Sequence, residues 1–535
     1  MKTKRNIFCA FALMASVGMY AQTQYDAARI IGSDLNGTAR FVGMGGAMSA
    51  LGGDISVIST NPAGIGIFRS SDVSTSFGFN TTSTKSDYLG SLRKDNKTHW
   101  SFDQVGFVYS NKIGNNTSLR YVNFGFNYHK KNNFNRVFGS GGSLNGMSQT
   151  WQMANMLGIA MDNYNIPIDD TEKEVNTIYN AKNPYTTGNQ YPFMGIMGVR
   201  TDLIGTTKDS DTGKDKLIGW NGDSNKYTSR EEGGIDEYDF NVAFNIEDRV
   251  YLGMTLGVYD VNYKRYSYYT EDISYNNDNG YYELTNWFHT KGSGVDLKLG
   301  VIVRPFEESP FRISLSVATP TWYSLTNYSA ADMSSNVNYV TEGKPTENVK
   351  VNEYTPDYTD GDIIRDYKLI TPWKFNVSLG TTLLNIVAVG AEYEYQDYSS
   401  AKFQYNDGDY MTFQNSIISE DLKGVNTLRL GMEAKLFPQF SIRAGYNYSS
   451  SVFKNSAYKA LDWNSMSTST EFNNVRERNT FTFGVGYKGS IFYADLAYKY
   501  DTYKSNFYAF DDAGMAATKV DNNYNQLLFT MGMRF

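Results

Sequence analysis

From residue 71 onward, apolar and polar positions alternate in long runs. The last run shows the pattern most clearly: Leu527, Phe529, Met531, Met533 and Phe535 share one face, and Leu528, Thr530, Gly532 and Arg534 share the other. A period of two predicts a strand between two different environments. Val295, Leu297, Leu299, Val301 and Val303 alternate in the same way with Asp296, Lys298, Gly300 and Ile302. Leu428, Leu430, Met432 and Ala434 alternate with Arg429, Gly431, Glu433 and Lys435, and Phe481, Phe483, Val485 and Tyr487 with Thr482, Gly484, Gly486 and Lys488. Runs of this kind occupy 71–81, 100–111, 118–130, 235–246, 249–270, 291–304, 311–326, 368–382, 386–403, 424–437, 439–452, 479–489, 490–505 and 524–535.

The second face decides between fold classes. It mixes Arg and Glu with Gly, and Gly weakens a strand unless something must approach it closely. A soluble sandwich has no use for that combination. A transmembrane antiparallel β-barrel does: lipid touches the apolar face, and the lumen holds charge and small residues. Fourteen runs are an even number, as closed single-chain barrels require, and closure leaves no strand edge exposed to lipid. The connections alternate in length. Turns near Ile246–Arg249, Pro305–Pro310, Asn385, Pro438 and Gly489 are short, whereas 82–99, 131–234, 271–290, 327–367, 404–423, 453–478 and 506–523 are long and polar, the largest being 131–234. Tyrosine clusters near strand ends (Tyr263, Tyr266, Tyr268, Tyr269; Tyr393, Tyr395, Tyr398; Tyr446, Tyr448; Tyr498, Tyr500, Tyr503) are expected to form interfacial girdles.

Composition agrees with this pattern. The chain of 535 residues has 42 Tyr, 32 Phe and 48 Gly at a mean hydropathy of −0.45. After the first 21 residues no apolar run is long enough for a spanning helix. The aromatic content excludes a disordered chain, and the net charge of −7 argues against a nucleic-acid binder. At the start, Lys2, Lys4 and Arg5 precede an apolar stretch from Ile7 to Val17, which reads as a Sec signal peptide over 1–21, cut between Ala21 and Gln22. Cleavage removes the one cysteine, Cys9, and moves the net charge to −10.

Residues 22–70 do not alternate. They are dense in small residues (Gly43, Gly45, Gly46, Ala47, Ala50, Gly52, Gly53) and too few for a large core of their own, so a barrel lumen is the expected container. The run Gly43-Met44-Gly45-Gly46-Ala47, then Leu51-Gly52-Gly53-Asp54, then Thr60-Asn61-Pro62-Ala63-Gly64-Ile65 resembles the N-terminal hatch of FadL-type outer-membrane transporters. Ala318-Thr319-Pro320, Thr371-Pro372-Trp373, Glu392–Ser399 and Arg443-Ala444-Gly445-Tyr446 resemble later parts of that family. The resemblance implies a barrel of about 14 strands over 71–535 with a hatch over 22–70. It implies passive passage of long-chain fatty acids or other hydrophobic molecules across the outer membrane of a Gram-negative cell. It also implies a hatch end at Asn61, Pro62, Ala63 and Gly64 that anchors or gates. The family has PorV-like relatives that act in protein secretion, so a secretion-associated or adhesive barrel that binds proteins through its long loops is the alternative reading. The final Phe535 looks like the signal read by the barrel assembly machinery.

Candidate chemistry is sparse. In the longest loop Leu144, Met147, Trp151, Ala154, Leu157 and Met161 fall on one face of a helix, and Phe193, Met194, Ile196, Met197 and Val199 make a second apolar patch. Met147, Trp151, Ala154, Leu157, Met161, Phe193 and Met197 are the candidate substrate-binding residues; mutual packing of helix and patch is the plain alternative. The lumen-facing charges Asp296, Lys298, Arg312, Glu392, Glu394, Arg429, Glu433, Lys435, Arg443 and Asp495 suit an internal salt-bridge network or a clamp for a substrate carboxylate, with Arg312, Glu392, Arg429 and Arg443 the main candidates. His99, His129 and His289 lie far apart, and no nucleophile, phosphate-loop or metal-site pattern is present, so no catalytic residue, metal or cofactor is expected. The acidic run Asp209–Asp215 resembles part of a calcium loop but also reads as a solvated loop. The expected partners are outer-membrane lipid and a hydrophobic small molecule, with a monomer as the assembly.

Overall fold

The computed structural model describes residues 21–186, 188–341, 344–384 and 386–535. The expected signal sequence, with Cys9, and the expected turn residue Asn385 lie outside the described residues. The alternating runs become a closed antiparallel barrel of 14 strands. They are β1 (Asp72–Tyr88), β2 (Ser91–Lys112), β3 (Leu119–Asn133), β4 (Asn221–Ile246), β5 (Val250–Tyr275), β6 (Asp278–Val303), β7 (Arg312–Ala318 with Trp322–Tyr339), β8 (Ile363–Ile370 with Lys374–Leu383), β9 (Val387–Asp397), β10 (Gly424–Phe437), β11 (Phe440–Ser449), β12 (Phe472–Lys488), β13 (Phe492–Tyr508) and β14 (Thr518–Arg534). Pairing of β1 with β14, from Asp72↔Arg534 to Asp87↔Lys519, closes the wall. The seam is fastened at its end by reciprocal Ser71–Phe535 backbone bonds of 2.9 and 3.1 Å.

The two faces sort as the alternation requires. Leu430, Met432, Phe483 and Leu527 point outward, 43–53% exposed, while Arg429, Arg443, Leu528 and Thr530 are buried inside. A continuous exposed apolar band around a closed wall is a liability in water and a lipid-facing surface in a bilayer. Outward tyrosines finish the band. The hydroxyls of Tyr393, Tyr446 and Tyr498 donate to Asn426, Asn479 and Asn525 on neighbouring strands at 2.6, 2.7 and 2.6 Å. Tyr263, Tyr269 and Tyr398, by contrast, point inward and are buried, so they do not belong to a girdle.

The sheet extends further than the alternation showed. Segments 82–99 and 271–290 are strand rather than loop, closed by tight turns at Leu89-Gly90 and Asn276, where φ is positive. Beyond the bilayer water lies outside the wall, so both faces accept polar residues and the period-two signal fades. Two strands are interrupted at adjacent prolines, Pro320 and Pro372, which have no N–H for the ladder. Threonine hydroxyls fill in: Thr319 accepts from the Leu297 N–H at 3.1 Å and Thr371 from that of Thr321 at 2.7 Å.

Candidate transport path

The segment before β1 fills the lumen. It contains α1 (Gln24–Ile31), α2 (Ala39–Gly43) and the 3-10 turns Ile55–Ser59 and Pro62–Ile67. Its backbone touches the wall where the wall has no side chains. Gly390, Gly431 and Gly445 stand in register on β9, β10 and β11. A Cβ at these positions would strike the carbonyls of Ala47 and Met44 and the amide of Gly45. Gly253 and Gly300, in register on β5 and β6, play the same part beneath Asn61 and Pro62. This close approach explains why glycine appears on the charged face.

Ion pairs lock the same level. Arg40 of the hatch makes a bidentate pair with Glu433 at 2.9 and 3.0 Å. Arg443 joins Glu433 at 2.6 Å to Asp495 at 2.5 Å. Arg429 bonds Glu392 at 2.5 Å and Glu394 at 3.2 Å, and Arg312 donates to the Leu51 carbonyl at 2.7 Å. The main candidates Arg312, Glu392, Arg429 and Arg443 are therefore engaged with wall charges or with the hatch, whereas Lys435, expected on the lumen face, is exposed near the end of β10. The Asn61 side chain accepts from the Ala63 N–H at 3.1 Å, and the wall residue Asn123 donates to the carbonyls of Ile65 and Phe68 at 2.8 and 2.9 Å. Asn61, Pro62, Ala63 and Gly64 are buried in this joint.

At the outer end, residues 144–186 and 188–220 fold over the barrel mouth with α3 (Gln149–Asn163), α4 (Thr171–Asn180) and α5 (Phe193–Arg200). The candidate substrate-binding residues do meet, but as a core. Ala154, Leu157, Met161, Phe193 and Met197 are buried against one another, and Met147 and Trp151 are partly exposed at its edge. The open apolar groove expected from the sequence is corrected to a closed one, because α5 is apolar on every side and takes up the face of α3. Glu271, on the part of β5 that projects beyond the apolar band, is buried at the start of α3, where it accepts from the Gln149 N–H at 3.2 Å and from the hydroxyls of Tyr269 and Tyr282. Burial pushes its carboxyl up to about 7.

Between α1 of the hatch and the 452–475 segment lies a cavity of about 320 Å³. Tyr25, Phe138, Phe288, Phe453, Phe472 and Phe507 supply aromatic walls, and Arg29, Arg136, Arg265 and Lys459 supply charge. Most of these residues sit outside the alternating runs or on strand extensions, so no pattern in the chain could have marked them. A second cavity of about 390 Å³ is lower and polar, lined among others by Lys131, Glu237, Asp296, Lys298 and Thr371.

The remaining candidates resolve as structural. His129 lies 3.4 Å from Glu237 and 3.9 Å from Asp239, a grouping that sequence distance concealed. The Lys298 ammonium is already the cation there, bonded to Glu237 and, at 2.6 Å, to Asp239. His99 and His289 bond Asn133 and Asn262. In the acidic loop, Asp209 accepts from the amides of Asp211 and Thr212 and Asp215 pairs with Lys208 at 2.7 Å, so their carboxylates close a turn and an ion pair.

No protein-family profile matches the sequence, and no curated protein does. Among solved structures, a FadL homologue of Pseudomonas aeruginosa is similar at 11% identity and TM-score 0.49, covering 94% of this chain and 99% of that one. This chain resembles FadL-type barrels. The toluene transporter TbuX of Ralstonia pickettii aligns at 12% identity and TM-score 0.44, over 94% of this chain and 99% of that one. The toluene transporter TodX of Pseudomonas putida aligns at 10% identity and TM-score 0.43, over 94% and 100%. The barrel itself rests on the strand pairing described above.

Proposed function

We propose that this protein is an outer-membrane barrel that takes up a hydrophobic or amphipathic small molecule without coupling to an energy source. The observation that carries this reading is the aromatic-walled cavity beside the hatch helix α1, inside a wall whose outer face is apolar. Ligand sites of small hydrophobic molecules are concave and mostly apolar, with a few fixed polar groups, and this cavity has that make-up. Met147 and Trp151 at the partly exposed cap edge are the proposed first contact. Asn61, Pro62, Ala63 and Gly64 are the proposed anchor of the hatch, and Phe535 the proposed assembly signal of a monomer. Long-chain fatty acids and monoaromatic hydrocarbons are both substrates to test, the latter because neighbours of similar architecture are named for toluene.

The test is uptake of labelled oleate and labelled toluene by cells with and without the protein, together with identification of lipids that co-purify with it. Faster uptake of either compound supports the reading. Equal uptake of both, with no bound hydrophobic molecule, overturns it and leaves the protein-binding barrel as the alternative.

A further inference from the structure

The outer face of the wall changes character above the apolar band on β5, β6 and β7. Val295 and Trp322, paired across β6 and β7, are exposed within the band. Two outward positions further along β6 stands Lys291, and the next is His289, which faces Lys264 of β5. Both lysines are exposed, and neither has a carboxylate within ion-pair distance among the described residues. Glu232, opposite Lys264 on β4, is taken by Lys97 at 3.0 Å and by Arg230 at 2.7 Å. Asp366, beside Thr326 on β8, accepts from the Thr326 hydroxyl at 2.5 Å. The Lys291 ammonium lies over the Tyr328 ring, 5.5 Å from its centroid. Burial first, then Lys291 and Lys264, hold the His289 imidazole below its ordinary value, the mark of a positive field at this point. Beyond the cations the same face presents rings and amides. Tyr266 and Trp287 form a cross-strand pair, 43% and 41% exposed, with ring centroids 5.9 Å apart. Further out, the exposed Tyr281 faces Asn336 of β7, whose amide donates to the Tyr281 hydroxyl at 3.3 Å. These rings stand past the level of the apolar band, so lipid tails do not account for them.

We propose that this face of β5, β6 and β7 is a seat for lipopolysaccharide, the anionic glycolipid of the outer leaflet. Its acyl chains lie on the apolar band, its glucosamine phosphates meet Lys264 and Lys291, and its sugars pack on Trp287, Tyr266 and Tyr281. The inference rests on the outer-membrane part of the reading above and concerns the outside of the wall rather than the path through it. Charge and order carry it: apolar, cationic, then aromatic with amides is the order of groups along one molecule of this lipid. A phospholipid with a small head group would fill the lower two tiers and leave the rings bare. Ammonium–phosphate bonds are charge-assisted, and basic clusters at a bilayer surface recruit anionic lipid. Tyr and Trp rings offer an apolar face to the C–H side of a sugar and a polar edge to its hydroxyls.

Native mass spectrometry of the full-length barrel in detergent, with bis-phosphorylated lipid A and its dephosphorylated form as probes, tests this. The wild type is expected to bind the phosphorylated form more tightly. Lys264→Gln combined with Lys291→Gln should weaken the phosphorylated form about tenfold and leave the other unchanged, and the corresponding double change to Arg should retain it. Lipopolysaccharide that carries its core sugars should bind the wild type more tightly than lipid A, and Trp287→Ala should remove that gain. Equal binding of the two lipid A forms by the wild type, or full binding of the phosphorylated form by the double Gln variant, overturns the seat. A core-sugar gain that survives Trp287→Ala overturns the sugar tier. Absence of the protein from the outer-membrane fraction of its cells would instead overturn the membrane reading.

Discussion

The two ends of the lumen solve different problems with different residues. At the hatch level the wall is glycine, backbone meets backbone, and Arg40, Arg429 and Arg443 are paired with wall carboxylates. At the outer level the wall carries Tyr, Phe and Arg, and a cavity remains. Closure comes from removing side chains, and capacity to hold a molecule comes from keeping them. The hatch level thus acts as a floor and the outer level as a chamber.

That contrast can be broken from either side. The largest effect is expected at the floor. Arg443→Met strands Asp495 inside the lumen, leaves Glu433 with Arg40 alone and should cost about 3–5 kcal/mol, read as a lower melting temperature of the barrel. An unchanged melt would mean that the network is solvated.

The next effect belongs to the cap. Glu271 ionises at 4.5 when unfolded and at about 7 when buried, so its charged form is penalised in the folded cap. The folded cap therefore has its full stability below pH 4.5 and loses about 3 kcal/mol of it as pH climbs through 7. Tryptophan fluorescence of the cap should report melting that shifts downward with rising pH, and Glu271→Gln should flatten the shift. A flat profile in the wild type would place water at that carboxylate.

The smallest effect sharpens the glycine argument. Gly431→Ala pushes a methyl group into the Met44 carbonyl and should cost about 1–3 kcal/mol, seen as faster protease cleavage of the hatch. The same change at Gly489, in the turn between β12 and β13, meets nothing closer than 3.1 Å and should be milder.

Much of the barrel was legible in the chain because lipid imposes an alternation with two unlike faces. The faces of 295–303, 428–435, 481–488 and 527–535 were readable residue by residue. The proline interruptions of β7 and β8 were not, since Thr319 and Thr371 repair the ladder through contacts between strands. The extension of β1, β2, β5 and β6 beyond the bilayer was also hidden, because water on both sides erases the pattern. Of the candidate site, the apolar face of α3 was visible as periodicity, but its use was not: packing on α5 or opening to solvent gives the same spacing.

The order of residues along the chain is enough to show that the wall alternates, that its runs are even in number, and that small residues precede the first of them. These are local properties, set by what each residue's neighbours must be. Folding alone sets which glycine faces which hatch carbonyl, that Arg40 reaches Glu433, and that Lys459 and Arg265 meet at the Ser469 hydroxyl. Those facts join residues hundreds of positions apart, where charge and volume balance only after the barrel has closed around its own N-terminal segment.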